Sequence, residues 1–82
     1  MRAGLLTVAR LDDGAPPRVG YAISRRVGNA VVRNRLRRRL RDLARRSALP
    51  GGAWLVVAAP GSAEAPFSVL GGWWDDAVGA LA

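Results

Sequence analysis

Apolar and polar positions change period twice along this 82-residue chain. Leu5 to Leu11 (LLTVARL) is short and rich in branched apolar residues, which predicts a strand. It ends at Asp12-Asp13-Gly14-Ala15-Pro16-Pro17, where a turn signal meets residues that cannot continue a ladder. Val19 to Ser24 alternates, with Val19, Tyr21 and Ile23 on one face and Gly20, Ala22 and Ser24 on the other. Two strands joined by so short a connection predict an antiparallel hairpin. The small-residue face of the second strand is expected to admit a close neighbour, either a helix or a ligand.

Gly28-Asn29 breaks the alternation, and Asn29 suits a helix N-cap. From Ala30 the period becomes helical. At about 100° per residue, Val32, Leu43, Leu36 and Leu40 gather within an arc of roughly 80°, a stripe that docks one side of a helix on a sheet. Arg33 and Arg39 flank the stripe, so their aliphatic stems are expected along the sheet with the charged heads at its rim. Pro50-Gly51-Gly52 ends the helical region. Ala53 to Ala59 (AWLVVAA) is a continuous apolar run of strand length, which predicts a central strand covered on both faces. Pro60-Gly61 closes it. A second helix is expected from Pro66, with Phe67, Leu70, Trp74, Val78 and Leu81 at helical spacing. Gly71-Gly72 inside it costs about 1 kcal/mol per Gly relative to Ala, so a kink or frayed segment is expected there. The order of elements predicts one α+β domain over residues 1–82, of split βαβ layer type.

Charge changes this picture. Ten of the 13 basic residues fall between Ser24 and Arg46 with a single acid, Asp42, so that stretch carries +9 and the remainder −2. A solvated helix face normally mixes signs at i, i+4 spacing. Here Arg33, Arg37, Arg41 and Arg45 stand four apart in one column. Such a face repels itself unless anions neutralise it, which points to a polyanion, RNA or DNA first. A membrane-surface helix is the weaker competitor, since the polar arc covers most of the circumference and no Trp or Phe lies on the apolar side. All the basic residues are Arg and none is Lys. Codon bias in a GC-rich genome accounts for this, and guanidinium also favours forked phosphate contacts and stacking on bases.

The chemistry available within the chain is sparse. There is no Cys and no His, which removes thiolate and imidazole nucleophiles, bases and metal ligands. The acids Asp12, Asp13, Asp42, Glu64, Asp75 and Asp76 read as turn, capping or solvated groups. No catalytic residue and no metal site is expected. No run approaches the roughly 18 apolar residues of a membrane span, and the amino-terminal segment lacks the pattern of a signal peptide. A soluble, cytoplasmic protein without membrane contact is expected.

One block is specific. Ser24-Arg25-Arg26-Val27-Gly28-Asn29-Ala30-Val31-Val32-Arg33-Asn34-Arg35-Leu36-Arg37-Arg38 closely resembles the signature of the bacterial ribonuclease P protein component, with Arg for the family's frequent Lys. The flanks agree: Arg18-Val19-Gly20 leads in, and the apolar run from Ala53 follows. The resemblance implies a two-layer α/β sandwich, ribosomal-protein-S5-domain-2-like, with a left-handed βαβ crossover. It implies an accessory subunit of a ribonucleoprotein endoribonuclease, in which the RNA is catalytic and the protein binds the catalytic RNA and the precursor tRNA 5′ leader. Magnesium is then expected in the RNA-containing holoenzyme, with no cofactor bound by the protein alone and no obligate protein partner. Arg33, Asn34, Arg35 and Arg38 are the residues implied in RNA contact, with Arg25, Arg26 and Asn29 close by. Arg37 and Arg41 join them on the basic helix, about 29–46. The family carries a further amino-terminal helix, so a start upstream of Met1 is expected, and apolar sheet surface is expected to lie open without that helix. The alternative reading is a structural RNA-binding protein of ribosomal type with no role in tRNA processing.

Overall fold

The computed structural model describes all residues, Met1–Ala82. A two-residue strand β1 (Arg2–Ala3) turns through Gly4-Leu5 into β2 (Leu6–Leu11). The loop of Asp12 to Pro17 leads to β3 (Arg18–Ile23), and a short 3-10 turn, Arg25–Val27, precedes the long helix α1 (Ala30–Arg46). Strand β4 (Ala53–Ala58), a second 3-10 turn, Ser62–Glu64, and helix α2 (Phe67–Leu81) complete the chain.

The sheet order is β1-β2-β4-β3. Strand β4 lies antiparallel to β2, with Leu6 opposite Ala58 and Leu11 opposite Ala53. It lies parallel to β3, with Arg18 opposite Ala53 and Ile23 opposite Ala58. The expected β2–β3 hairpin is therefore wrong: β4 separates the two strands. The six-residue connection crosses two strand spacings, roughly 10 Å, instead of closing a tight turn. The most apolar strand takes the central position, where both its edges are hydrogen-bonded. Its entry passes under the crossing loop, with Gly52 N donating to Ala15 O at 2.9 Å. Gly52 has φ +114°, and a Cβ there would sit 2.4 Å from Leu11 O, so only glycine fits.

Strands β3 and β4 with α1 between them form the βαβ unit. Both helices pack on one face of the sheet, giving two layers of an α+β sandwich. The core joins Leu6 and Val8 of β2, Trp54, Val56 and Ala58 of β4, Leu36, Leu40 and Leu43 of α1, and Leu70, Trp74 and Ala77 of α2. Three of the four stripe residues read from the helical period are thus buried, and Val32 is half-buried. The expectation that β4 is covered on both faces fails. Its alternate residues Leu55 and Val57 are 46% and 39% exposed, because no helix crosses that side. The open face is the apolar sheet surface expected to lie uncovered, and it carries Gly20 and Ala22 as well. Helix α1 instead packs toward the Val19, Tyr21 and Ile23 side of β3, since those larger residues supply the apolar contacts.

Helix α2 runs unbroken through Gly71-Gly72, contrary to the expected kink. Gly71 lies against α1, where a Cβ would meet Leu43 Cδ2 at 3.6 Å. That is an ordinary contact distance, and it is the burial of Leu70, Trp74 and Ala77 around the two glycines that holds the helix unbroken. Arg10 ties distant segments together: its guanidinium donates to Gly51 O at 3.1 and 2.9 Å and to Leu81 O at 3.0 Å. It also lies 5.3 Å from the Trp54 ring centroid. This arginine joins β2, the start of β4 and the end of α2.

Candidate nucleic-acid interface

The basic face is built from the turn before α1 and the outer arc of α1. Ser24 Oγ accepts from Arg26 N at 3.1 Å, closing the 3-10 turn, and Val27 is buried as its anchor. Arg25 and Arg26 are left exposed at the mouth of the helix. Gly28 is required by space, because a Cβ there would lie 2.8 Å from Val32 Cγ1. Asn29 caps the helix: its Oδ1 accepts from Val32 N at 3.0 Å. Replacing a capping Asn by Ala costs about 1 kcal/mol. Asn29→Ala is therefore expected to lower the urea unfolding midpoint by a corresponding amount. An unchanged midpoint would contradict the capping role.

Along α1, Asn34 Oδ1 accepts from Arg37 Nη1 at 3.0 Å, which fixes the two side chains together on the exposed arc. Arg35, Arg38 and Arg41 are exposed. Arg33 is half-buried, and its Nε is enclosed without a hydrogen-bond partner. The other flanking residue, Arg39, departs from the sheet-rim expectation. Its Nη1 reaches Ala63 O and Ala65 O at 3.5 and 3.4 Å, and so clasps the segment between β4 and α2. The nine candidate residues Arg25, Arg26, Asn29, Arg33, Asn34, Arg35, Arg37, Arg38 and Arg41 thus lie on one helix and the turn that enters it.

The charge on this face is largely uncompensated. Asp42 pairs with Arg45 at 3.5 Å and Arg46 at 2.9 Å. The other ion pairs, Arg10–Asp12 and Arg18–Asp13, lie off the helix. Eight of the ten arginines between Ser24 and Arg46 therefore have no acidic partner. In the crossing loop, the hydrogen bond from Arg18 holds the Asp13 carboxyl below its usual range, and the backbone N–H of Ala15 adds to this.

Two depressions mark the basic face. A shallow one of about 280 Å³ is lined by Val31, Asn34, Arg35 and Arg38. A larger groove of about 600 Å³ runs between α1 and β3. Arg38, Arg41 and Arg45 form one wall of that groove, and Pro17, Val19, Tyr21 and Leu49 line it opposite. Burial pushes the Tyr21 hydroxyl pKa up, and the charge of Arg41 opposes that shift. The sequence pattern placed Val19 and Tyr21 together on one strand face. Nothing local connected them to Arg38, Arg41 or Leu49, which the parallel β3–β4 pairing and its helical crossover bring alongside. No three acidic side chains gather in a group that could hold a metal ion. No helix is long and apolar enough to cross a membrane.

A two-layer α+β domain carrying a concentrated, largely unpaired arginine face has the charge to receive a polyanion. Comparison with known proteins makes the class specific. The sequence matches the Ribonuclease P family model over residues 2–79. The Ribonuclease P protein component of Kocuria rhizophila is 46% identical over 72 residues, covering 84% of this chain and 64% of that protein. The one from a Nocardioides species is 60% identical over 58 residues, covering 67% of this chain and 50% of that protein. The chain thus spans about half to two thirds of the length of these curated relatives. Among solved structures, the RNase P protein of Staphylococcus aureus superposes with a TM-score of 0.81 at 19% identity, over 93% of this chain and 73% of that one. An RNase P protein from Thermotoga maritima gives 0.78 at 23% identity, over 89% of this chain and 76% of that one. The fold is that of these proteins, and the chain belongs to the Ribonuclease P protein family.

Proposed function

We propose that this chain acts as the protein subunit of ribonuclease P, binding the catalytic RNA and the precursor tRNA leader while the RNA cleaves the leader. The observation that carries the reading is the Ser24–Arg38 block, mounted on the exposed arc of α1 with most of its arginines unpaired. Arg25, Arg26, Arg33, Arg35, Arg38 and Arg41 supply phosphate contacts, and Asn34 with Arg37 supplies a hydrogen-bonding pair beside them. Guanidinium groups suit this role because each presents donors in a planar fork that matches phosphate oxygens. Asn29 serves as the helix cap, and so positions the arginines that follow it.

In this reading the groups that carry out the cleavage belong to the RNA, and the chain acts by binding. Magnesium is assigned to the RNA, and the protein's part is to lower repulsion between two RNAs that meet at the cleavage site. The reading also places the protein in the cytoplasm with its RNA partners. The family match and the names of the relatives favour it over a structural protein of ribosomal type. The test mixes the chain with a bacterial ribonuclease P RNA and precursor tRNA at low magnesium, where the RNA alone cleaves poorly. Release of the 5′ leader is expected to accelerate when the protein is added. An unchanged rate would reject the assignment.

A further inference from the structure

The sheet ends in two unlike edges. At one, β1 is only two residues long, and the Met1 ammonium donates to Val8 O at 2.7 Å, so the outer side of β2 is partly covered. At the other, β3 presents six residues with no strand beyond it. Arg18 N donates inward, to Gly52 O at 3.0 Å. Backbone polar groups alternate sides along a strand. Gly20 and Ala22 therefore also face β4, and Val19, Tyr21 and Ile23 turn their N–H and C=O groups outward. No turn, loop or cap of the chain bonds to these outward groups. A long edge of this kind is a template for a further strand unless proline, lysine or a bulge blunts it, and β3 has none of the three.

Val19 and Tyr21 of this edge also line the groove beside α1, opposite Arg38, Arg41 and Arg45, and no acid lines it. Arg38 and Arg41 have no acidic partner within the chain. We propose that an extended acidic segment of a partner protein adds here as a fifth strand, its backbone paired with Val19, Tyr21 and Ile23 and its alternate carboxylates on Arg38 and Arg41. Strand addition draws affinity from main-chain hydrogen bonds and specificity from alternate side chains. A strand set about 4.8 Å beyond β3 points every second side chain toward α1 and the others toward the side of Gly20 and Ala22. Alternating acidic and apolar residues therefore suit it. A second copy of this chain is the poorer occupant, since pairing two β3 edges would bring the +9 stretches of both copies together. Because Arg38 and Arg41 also serve RNA phosphates in the ribonuclease P reading, an acidic strand and RNA exclude each other at this end of α1.

The probe is the end-blocked peptide Glu-Val-Glu-Val-Glu-Val-Glu, bound to the full chain at fixed salt. Two N-methylated forms keep its charge, one methylated on the Glu amides and the other on the Val amides. In an added strand only one alternate set of amides points at β3. One form is therefore expected to bind about tenfold more weakly and the other like the parent. Loss on the Glu set would mean an antiparallel strand and loss on the Val set a parallel one, and either supports the proposal. Arg38→Gln combined with Arg41→Gln is expected to weaken the parent peptide about tenfold, and an unchanged affinity would overturn the proposal. Equal binding by all three peptides, or equal loss in both methylated forms, would also overturn it. So would failure of the parent peptide to bind. Hexauridylate bound in its place would then leave the groove to RNA, and a chain that sediments as a dimer would assign the edge to a second copy. Stimulation of the catalytic RNA is a separate measurement, so failure here leaves the ribonuclease P assignment standing.

Discussion

Raising salt from 50 to 200 mM is expected to weaken binding of the catalytic RNA by about 10³–10⁵. The prediction follows from the eight arginines between Ser24 and Arg46 that have no acidic partner. Each that meets a phosphate displaces condensed counterions, and the entropy of their release shrinks as bulk salt rises. Six contacts on a duplex, from Arg25, Arg26, Arg33, Arg35, Arg38 and Arg41, correspond to a slope of roughly −5 in log affinity against log salt, or about 10³ across a fourfold change. If the arginines were only a solvated face, they would contribute no such slope. A filter-binding series measures it directly. A flat series would reject electrostatic docking by α1. Arg45 and Arg46 are expected to contribute less than Arg38 or Arg41, because Asp42 already neutralises part of their field.

Trp74→Ala is expected to destabilise the fold by about 3–5 kcal/mol. Trp74 is 1% exposed, in the layer between the helices and the sheet. Its indole Nε1 donates to Ser47 Oγ at 2.8 Å, and that hydroxyl donates to Leu43 O at 2.7 Å. Ser47 is the C-cap of α1, so one side chain on α2 both fills the core and holds the end of the basic helix. A domain of this size holds only about 4–12 kcal/mol in total, so the truncation removes a large share of it. Trp74→Phe keeps much of the volume and loses the hydrogen bond, and is expected to cost less. Urea unfolding followed by circular dichroism reads both. A change below about 1 kcal/mol for the alanine variant would show that the two helices do not depend on this contact.

The elements that could be read from sequence were those specified by neighbours. Asn29 caps α1 because its side chain reaches Val32, three residues on. The helical period from Ala30 buries Leu36, Leu40 and Leu43 as the stripe requires. Strand pairing is different. Nothing within Leu5 to Ser24 reports that a strand thirty residues later will insert between β2 and β3. The apolar run at Ala53 outcompetes the hairpin because the central position satisfies both its edges. The same non-local step hid the groove. Tyr21 and Leu49 come beside Arg38 and Arg41 only after β3 pairs in parallel with β4 and α1 folds back across the sheet. Arg39 illustrates the reverse limit: helical angle placed it beside the docking stripe, but only the path of the chain after β4 brings the carbonyls of Ala63 and Ala65 to its guanidinium.

The central claim is that the arginine face of α1 makes this chain a working partner of ribonuclease P RNA. It is tested most directly by precursor tRNA cleavage at low magnesium, comparing the wild-type chain with a variant carrying Arg35→Gln, Arg38→Gln and Arg41→Gln. These three side chains are exposed and make no ion pair, so the variant is expected to fold normally. The wild-type chain should accelerate leader release, and the triple variant should leave the rate near that of the RNA alone. Equal acceleration by both proteins would contradict the account.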